Sequence, residues 1–127
     1  IRDRLADVCA TLRMTLMRRR VEVHTELSPA LGLVYADEIA MKQLVYTLLW
    51  CAVQEAAEGQ QVSLLVTPEA PERFRIAVER PGPSVYEVAL AYDVAALKEK
   101  ASGHGGCAGA HVQADSVTRF VVLPLTH

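Results

Sequence analysis

Asp37-Glu38-Ile39-Ala40-Met41-Lys42-Gln43-Leu44-Val45-Tyr46-Thr47-Leu48-Leu49-Trp50-Cys51-Ala52-Val53-Gln54-Glu55-Ala56-Ala57-Glu58-Gly59 is the stretch on which the fold turns. Met41, Leu44, Val45, Leu48, Leu49 and Ala52 recur at three- and four-residue spacing, so the segment reads as an amphipathic helix over about 38–58. Asp37 is a suitable N-cap, because its carboxylate can accept from the free amides of the first turn. Gly59 is a suitable C-terminal stop.

Working outward, Val21, Val23, Thr25 and Leu27 alternate with Glu22, His24 and Glu26, the period of a half-buried strand. Upstream, Leu5, Val8, Cys9, Leu12, Leu16 and Arg19 follow helical spacing, which predicts one amphipathic helix over 3–19. Arg18, Arg19 and Arg20 close it, where positive charge complements the carbonyl end of the helix dipole. A phosphate-binding patch is the alternative use for these arginines. Ser28 to Gly32 breaks the chain, and Leu33-Val34-Tyr35 reads as a short extended piece.

Downstream, 61–67 and 73–79 read as strands joined by Pro68 to Glu72, an antiparallel hairpin. A third helix over 86–100 stops at Gly103, Gly105 and Gly106, and strands follow over 108–114 and 118–123. Three helices interleaved with five strands, without regular βαβ alternation, predict an α+β two-layer sandwich. Its mixed, mostly antiparallel sheet is covered by three helices on one face.

The chain has 127 residues, 51% hydrophobic and 22% charged, the make-up of one globular domain with its own core. Thirteen Lys and Arg against 15 Asp and Glu give a net charge of −2, which argues against a dedicated nucleic-acid binder. No apolar run approaches the roughly 18 residues of a membrane span, so no membrane contact is expected of this domain. The chain opens on Ile1-Arg2-Asp3-Arg4 rather than on Met or a signal peptide, so residues 1–127 are expected to be a single domain of a longer protein. Cys9, Cys51 and Cys107 lack paired spacing and read as reduced thiols in a cytoplasmic protein. His104, Cys107 and His111 have zinc-like spacing without an evident fourth ligand, so no metal is expected. Cys51 has no particular His brought to it by the sequence, so no nucleophilic pair is expected either.

The Ala36-Asp37 start and the helix after it resemble the segment of bacterial sensor histidine kinases that carries the motif Asn-Leu-Leu-x-Asn-Ala. Ile76-Ala77-Val78-Glu79-Arg80-Pro81-Gly82-Pro83-Ser84-Val85 resembles the family's Ile-x-Val-x-Asp-Asn-Gly-x-Gly-Ile. Leu97 to Gly106 resembles the helix end Leu-Val-x-x-His-Gly-Gly, and Phe120 to Leu125 the closing strand with its Leu-Pro-Leu. The resemblance covers nearly the whole chain. It implies the catalytic, ATP-binding domain of that family, in the superfamily shared with gyrase and the heat-shock chaperone ninety.

Set on those motifs, the nucleotide positions are Thr47, Cys51, Gln54, Arg80, Gly82 and Ser84. Thr47 and Cys51 replace the two asparagines, and a thiol is a poor ligand for the hard Mg²⁺ ion. Gln54 replaces a frequent lysine. Arg80 stands where the family has its adenine-selecting carboxylate, and a guanidinium has donors only. Shifting the register by one residue would place Glu79 there, at the loss of the matches to Gly82 and Val85. Ser84 replaces one of the two glycines, while Gly82 survives. The phosphate-cradling Gly-x-Gly-Leu-Gly-Leu turn falls on Ala91-Tyr92-Asp93, and only Tyr86 to Leu90 remain where the lid would be.

The resemblance therefore implies a degenerate ATPase-like domain of a two-component signalling protein, without catalytic residues or a bound cofactor. Such a domain serves as a docking or regulatory module in phosphorelay. Its implied partners are the receiver domain of a response regulator and an upstream helical dimerisation domain of the same protein. Arg13, Arg18 and Arg20 offer charge for such docking, with Trp50 and Tyr86 as apolar anchors; filling the vacated nucleotide space is the other expectation for Trp50. The face with Thr47, Gln54 and Glu55 is polar, but it shows no acid–base pair at a telling spacing. The alternative is a catalytic sensor-kinase domain that holds ATP and Mg²⁺ in an atypical pocket.

Overall fold

The computed structural model describes residues 2–28, 38–56, 58–69, 72–82 and 87–124. The elements are α1 (Arg2–Thr11), α2 (Arg13–Arg19), β1 (Glu22–Leu27), α3 (Glu38–Glu55), β2 (Gln61–Glu69), β3 (Arg73–Pro81), α4 (Glu87–Ser102), β4 (Cys107–Val112) and β5 (Ser116–Pro124). The expected order holds with one refinement. The first helix is two helices, broken at Leu12, which is 2% exposed and anchored in the core.

One five-stranded sheet runs β1-β2-β3-β5-β4. β1 pairs parallel with β2, Glu22 opposite Gln61 through Leu27 opposite Val66. Parallel neighbours need a crossover, and α3 supplies it. The other three pairings are antiparallel, including the expected β2–β3 hairpin, whose turn holds Glu72 at φ +52.

Helices cover one face. α3 lies across β2, β3 and β5, α4 over β4 and β5, and α1 against α3. Leu44, Val45, Leu48, Leu49 and Ala52 are buried as the stripe predicts, and Val53 and Ala56 join them. They meet Val62, Leu64 and Val66 of β2, Phe74, Ile76 and Val78 of β3, and Val121 and Leu123 of β5. Alternation decides which strand residues take part, because successive side chains point to opposite faces.

β1 contributes less than its pattern suggests. Val21 is buried and Val23 packs on the core, but Thr25 is exposed, because β1 is the edge strand and the helices do not extend over it. On the opposite face, Phe120 lies over Gly109, with the Arg75 guanidinium 4.2 Å from its ring centroid and His111 stacked at 5.1 Å. The expected extended piece at 33–35 and the Asp37 cap lie outside the described residues, as do Ser84, Tyr86 and the side chain of Met41.

Arg19 has a structural task that its place in a basic run concealed. Its Nε donates to the Val53 carbonyl at 2.9 Å, and its Nη2 donates to the carbonyls of Gln54 and Ala56 at 2.9 and 3.1 Å. The guanidinium thus caps the free carbonyls at the end of α3, where the dipole favours a cation. Arg20 adopts the left-handed conformation, φ 55, that reverses the chain into β1. The Arg20 carbonyl then accepts from the Gly59 amide at 2.9 Å, and Gly59 itself sits at φ +85.

Candidate functional site

The resemblance draws attention to the C-terminal half of α3 and the end of β3 beneath it. Thr47 is half-buried, and its hydroxyl donates to the Gln43 carbonyl of its own helix at 2.9 Å. One turn on, Cys51 is half-buried as a free thiol. Gln54 is exposed. Thr47 also lines a cavity of about 470 Å³ between α1, α3 and the end of α4, with Val8, Thr11, Lys42, Tyr46 and Lys100. Cys51, Gln54, Arg80 and Gly82 do not line it.

Arg80 continues the buried series Phe74, Ile76, Val78 on the helix-facing side of β3 and is only 4% exposed. Glu79 points the other way, is exposed, and accepts from the Thr118 hydroxyl at 3.4 Å. The strand's alternation therefore rules out the register that would put Glu79 toward α3. Arg80 is the inward residue.

What meets Arg80 is Glu55, the residue one turn beyond Cys51. Arg80 Nη2 donates to Glu55 Oε2 at 3.4 Å, and Nη1 donates to the Pro81 carbonyl at 3.3 Å. Arg119 Nη2 donates to the other carboxylate oxygen, Glu55 Oε1. Arg119 is 1% exposed and lies opposite Val78, while Arg80 lies opposite Val117, so the two arginines are diagonal neighbours on one face of the β3–β5 pair. Two buried cations thus converge on one carboxylate under α3. Gly82, at φ +102, turns the chain away, and its amide donates to the Asp115 carbonyl. A Cβ at Gly82 would stand 3.6 Å from Arg80 Nη1, so the turn wraps the guanidinium closely.

Chemically, this constellation is rich in donors. Adenine recognition requires an acceptor for the exocyclic amine, and Arg80 and Arg119 supply none. Glu55 is the acceptor of the group, and each of its oxygens receives a guanidinium hydrogen bond. Sequence reasoning found the polarity of Glu55 but neither its partners nor Arg119. The available signal was an arginine in the apolar series Val117, Arg119, Val121, Leu123 of the closing strand.

Trp50 is not the buried filler that one expectation made it. It is 40% exposed and stacks on Tyr46 with ring centroids 6.1 Å apart, on the outer side of α3. Arg13 and Arg18 of α2 and Arg20 just after it are exposed. Cys107 and His104 are exposed, and His111 is taken up in the stack on Phe120. Among the described residues no three His, Cys, Asp or Glu are grouped to hold a metal. Burial pushes the Cys9 thiol above its usual range. No described helix is long and apolar enough to cross a membrane.

No family model matches the chain. Among curated proteins, the adaptive-response sensory kinase SasA of Prochlorococcus marinus (strain MIT 9303) is 28% identical over 82 residues, covering 65% of this chain and 22% of that protein. The chain thus spans about a fifth of the relative's length. Among solved structures, the catalytic domain of histidine kinase ThkA superposes with a TM-score of 0.80 at 16% identity, covering 97% of this chain and 90% of the other. ThkA in complex with the response regulator TrrA matches with a TM-score of 0.81 at 15% identity, covering 99% and 40%. The element order, the mixed sheet and these superpositions agree: the chain has the fold of the histidine-kinase catalytic domain.

Proposed function

We propose that this chain is a degenerate histidine-kinase-like ATPase domain that does not bind ATP and serves as a docking and regulatory module in bacterial two-component phosphorelay. One observation carries the reading. The residue at the base-selecting position, Arg80, is a buried donor already engaged by Glu55, with Arg119 beside it. An adenine amine facing that guanidinium would meet donor with donor, and an unpaired buried polar group costs about 1–3 kcal/mol. Thr47, Cys51, Gln54, Gly82 and Ser84 are then vestiges of the nucleotide site, and the domain contributes no catalytic residue.

The partner of this reading is the receiver domain of a response regulator. Support comes from the structural neighbour ThkA, which has been solved in complex with the response regulator TrrA. Phosphoryl transfer in the parent belongs to an upstream helical dimerisation domain in this proposal. Arg13, Arg18 and Arg20 would steer the encounter, and apolar anchors such as Trp50 and Tyr86 would set its lifetime.

The test is thermal unfolding with and without Mg-ATP. A ligand at a hundred times its dissociation constant stabilises the folded state by about 2.7 kcal/mol, which is easily seen in a melting curve. No shift is expected. A clear Mg-dependent rise would overturn the reading and favour a catalytic kinase domain with an atypical pocket.

A further inference from the structure

We infer that the cleft between α1, α2 and β1 is the docking site for an amphipathic helix whose apolar face is bordered by carboxylates. The left-handed turn at Arg20 brings β1 back beside α2 and the end of α1. Between them lies a concave surface of about 550 Å³. That volume falls within the range of ligand-sized cavities, roughly 300–1,000 Å³.

Cys9, Leu16, Met17 and Val21 form its floor, and Arg13 and Arg20 form its rim. Met17 is 64% exposed and the neighbouring Met14 is 69% exposed, so two large thioether side chains stand in water at this corner. Unbranched, polarizable methionines adapt their shape to an incoming apolar face. Most of the lining comes from two helices, Cys9 of α1 and Arg13, Leu16 and Met17 of α2, and an apolar helix face laid into such a groove is the helix-in-groove mode of recognition.

Charge chooses among helices. α2 reads Arg-Met-Thr-Leu-Met-Arg-Arg and carries no acid. Arg13 and Arg20 line the cleft and are exposed, and Arg18 of the same helix is exposed as well. Arg20 also holds Glu58 at 3.0 Å, but both side chains are mostly exposed, so a partner's carboxylate can take its place at little cost. Glu22 is the one acid in the described lining. A helix with flanking Asp or Glu gains from this rim, and one with flanking Lys is repelled.

This inference deepens the docking reading by naming the surface and the element it receives, and its experiment involves no nucleotide. The probes are two synthetic amphipathic helices with the same leucine face, one flanked by Glu and one by Lys. Each is titrated into the full 127-residue chain and followed by methyl NMR. The Glu-flanked helix is expected to shift the methyl signals of Leu16, Met17 and Val21 and to slow alkylation of Cys9. The Lys-flanked helix is expected to bind at least about tenfold more weakly. Met17→Ser and Arg13→Glu, both at exposed positions, are each expected to weaken the Glu-flanked helix while leaving the melting curve in place.

Equal binding of both helices would overturn the inference. So would shifts centred on Tyr46 and Trp50, or the absence of any shift. If Mg-ATP stabilises the domain while the acidic helix still seats in the cleft, the degenerate-site reading fails and this one stands.

Discussion

Under the last turn of α3, Arg80 and Arg119 are 4% and 1% exposed and share the carboxylate of Glu55. At the corner of α2, by contrast, Arg13, Arg18 and Arg20 stand in solvent, and Arg13 and Arg20 line an apolar cleft. The same side chain serves opposite ends in the two regions. Where the guanidinium is buried, its charge must be met inside the fold, so the group becomes part of the architecture. Where it is exposed, its charge adds little to stability and is available to a partner. Arg19 lies between the two cases, half-buried and spent on the carbonyls at the end of α3.

The largest effect should come from breaking the buried region. Glu55→Ala removes the carboxylate shared by two buried guanidinium groups and is expected to cost about 3–5 kcal/mol in chemical denaturation. A loss under about 1 kcal/mol would mean that the cluster is solvated and that the contrast between the regions is wrong. Replacing all three with apolar residues of similar volume (Glu55→Leu with Arg80→Met and Arg119→Met) is expected to restore most of that loss, since a buried ionic cluster rarely outperforms good packing.

Next is Leu48→Ala, directly between α3 and the sheet, where the residue is fully buried. It should cost roughly 2–5 kcal/mol, according to how far the core collapses around the cavity. This variant scales the first one, because it measures apolar packing in the same helix without touching charge.

Arg19→Ala should fall below both, at about 1.5–3 kcal/mol, the size of a hydrogen-bonded interaction with a charged group. Arg19→Lys should recover only part of the loss, because an ammonium lacks the planar fork that reaches three carbonyls. If Arg19→Ala behaves like an exposed arginine, then α2 is not tied to α3 and the intermediate case disappears.

The smallest effect on stability belongs to Arg18→Glu with Arg20→Glu. The melting temperature should remain nearly unchanged, while phosphotransfer in the full-length parent slows, more at low salt than at high salt. Unchanged transfer at low salt would make the open region a solvated face and leave docking to another surface.

Much of the fold was legible in the residues because its signals are local. The stripe from Leu44 to Ala52 and the alternation in 61–67 and 73–79 place each element by its own period; in the structure the two strands each run two residues further, and the helix expected to reach Glu58 ends at Glu55. The candidate site was legible only in part. Arg80 could be recognised as a departure from the motif, but its partners lie 25 residues away, at Glu55, and 39 away, at Arg119, itself 64 from Glu55. No periodicity connects such positions. The division at Leu12 was hidden for a related reason: helical spacing continues through it, as do the bonds from the Leu12 amide to the Val8 carbonyl and from the Leu16 amide to the Leu12 carbonyl.

The sequence by itself determined the order of helices and strands, the side of each that turns inward, and the loss of the acceptor from the base-selecting position. The first two follow from period and from side-chain chemistry, which each residue carries with it; the third is what the resemblance implies for Arg80, a side chain with donors only. The tertiary structure decided that β1 is a parallel edge strand, that Arg19 caps a helix 35 residues away, that Arg80 and Arg119 meet over Glu55, and that α1, α2 and β1 leave a cleft lined by Arg13 and Arg20. These depend on which distant segments come to lie beside one another, and that is fixed by packing the apolar faces into a single core rather than by any local run of residues.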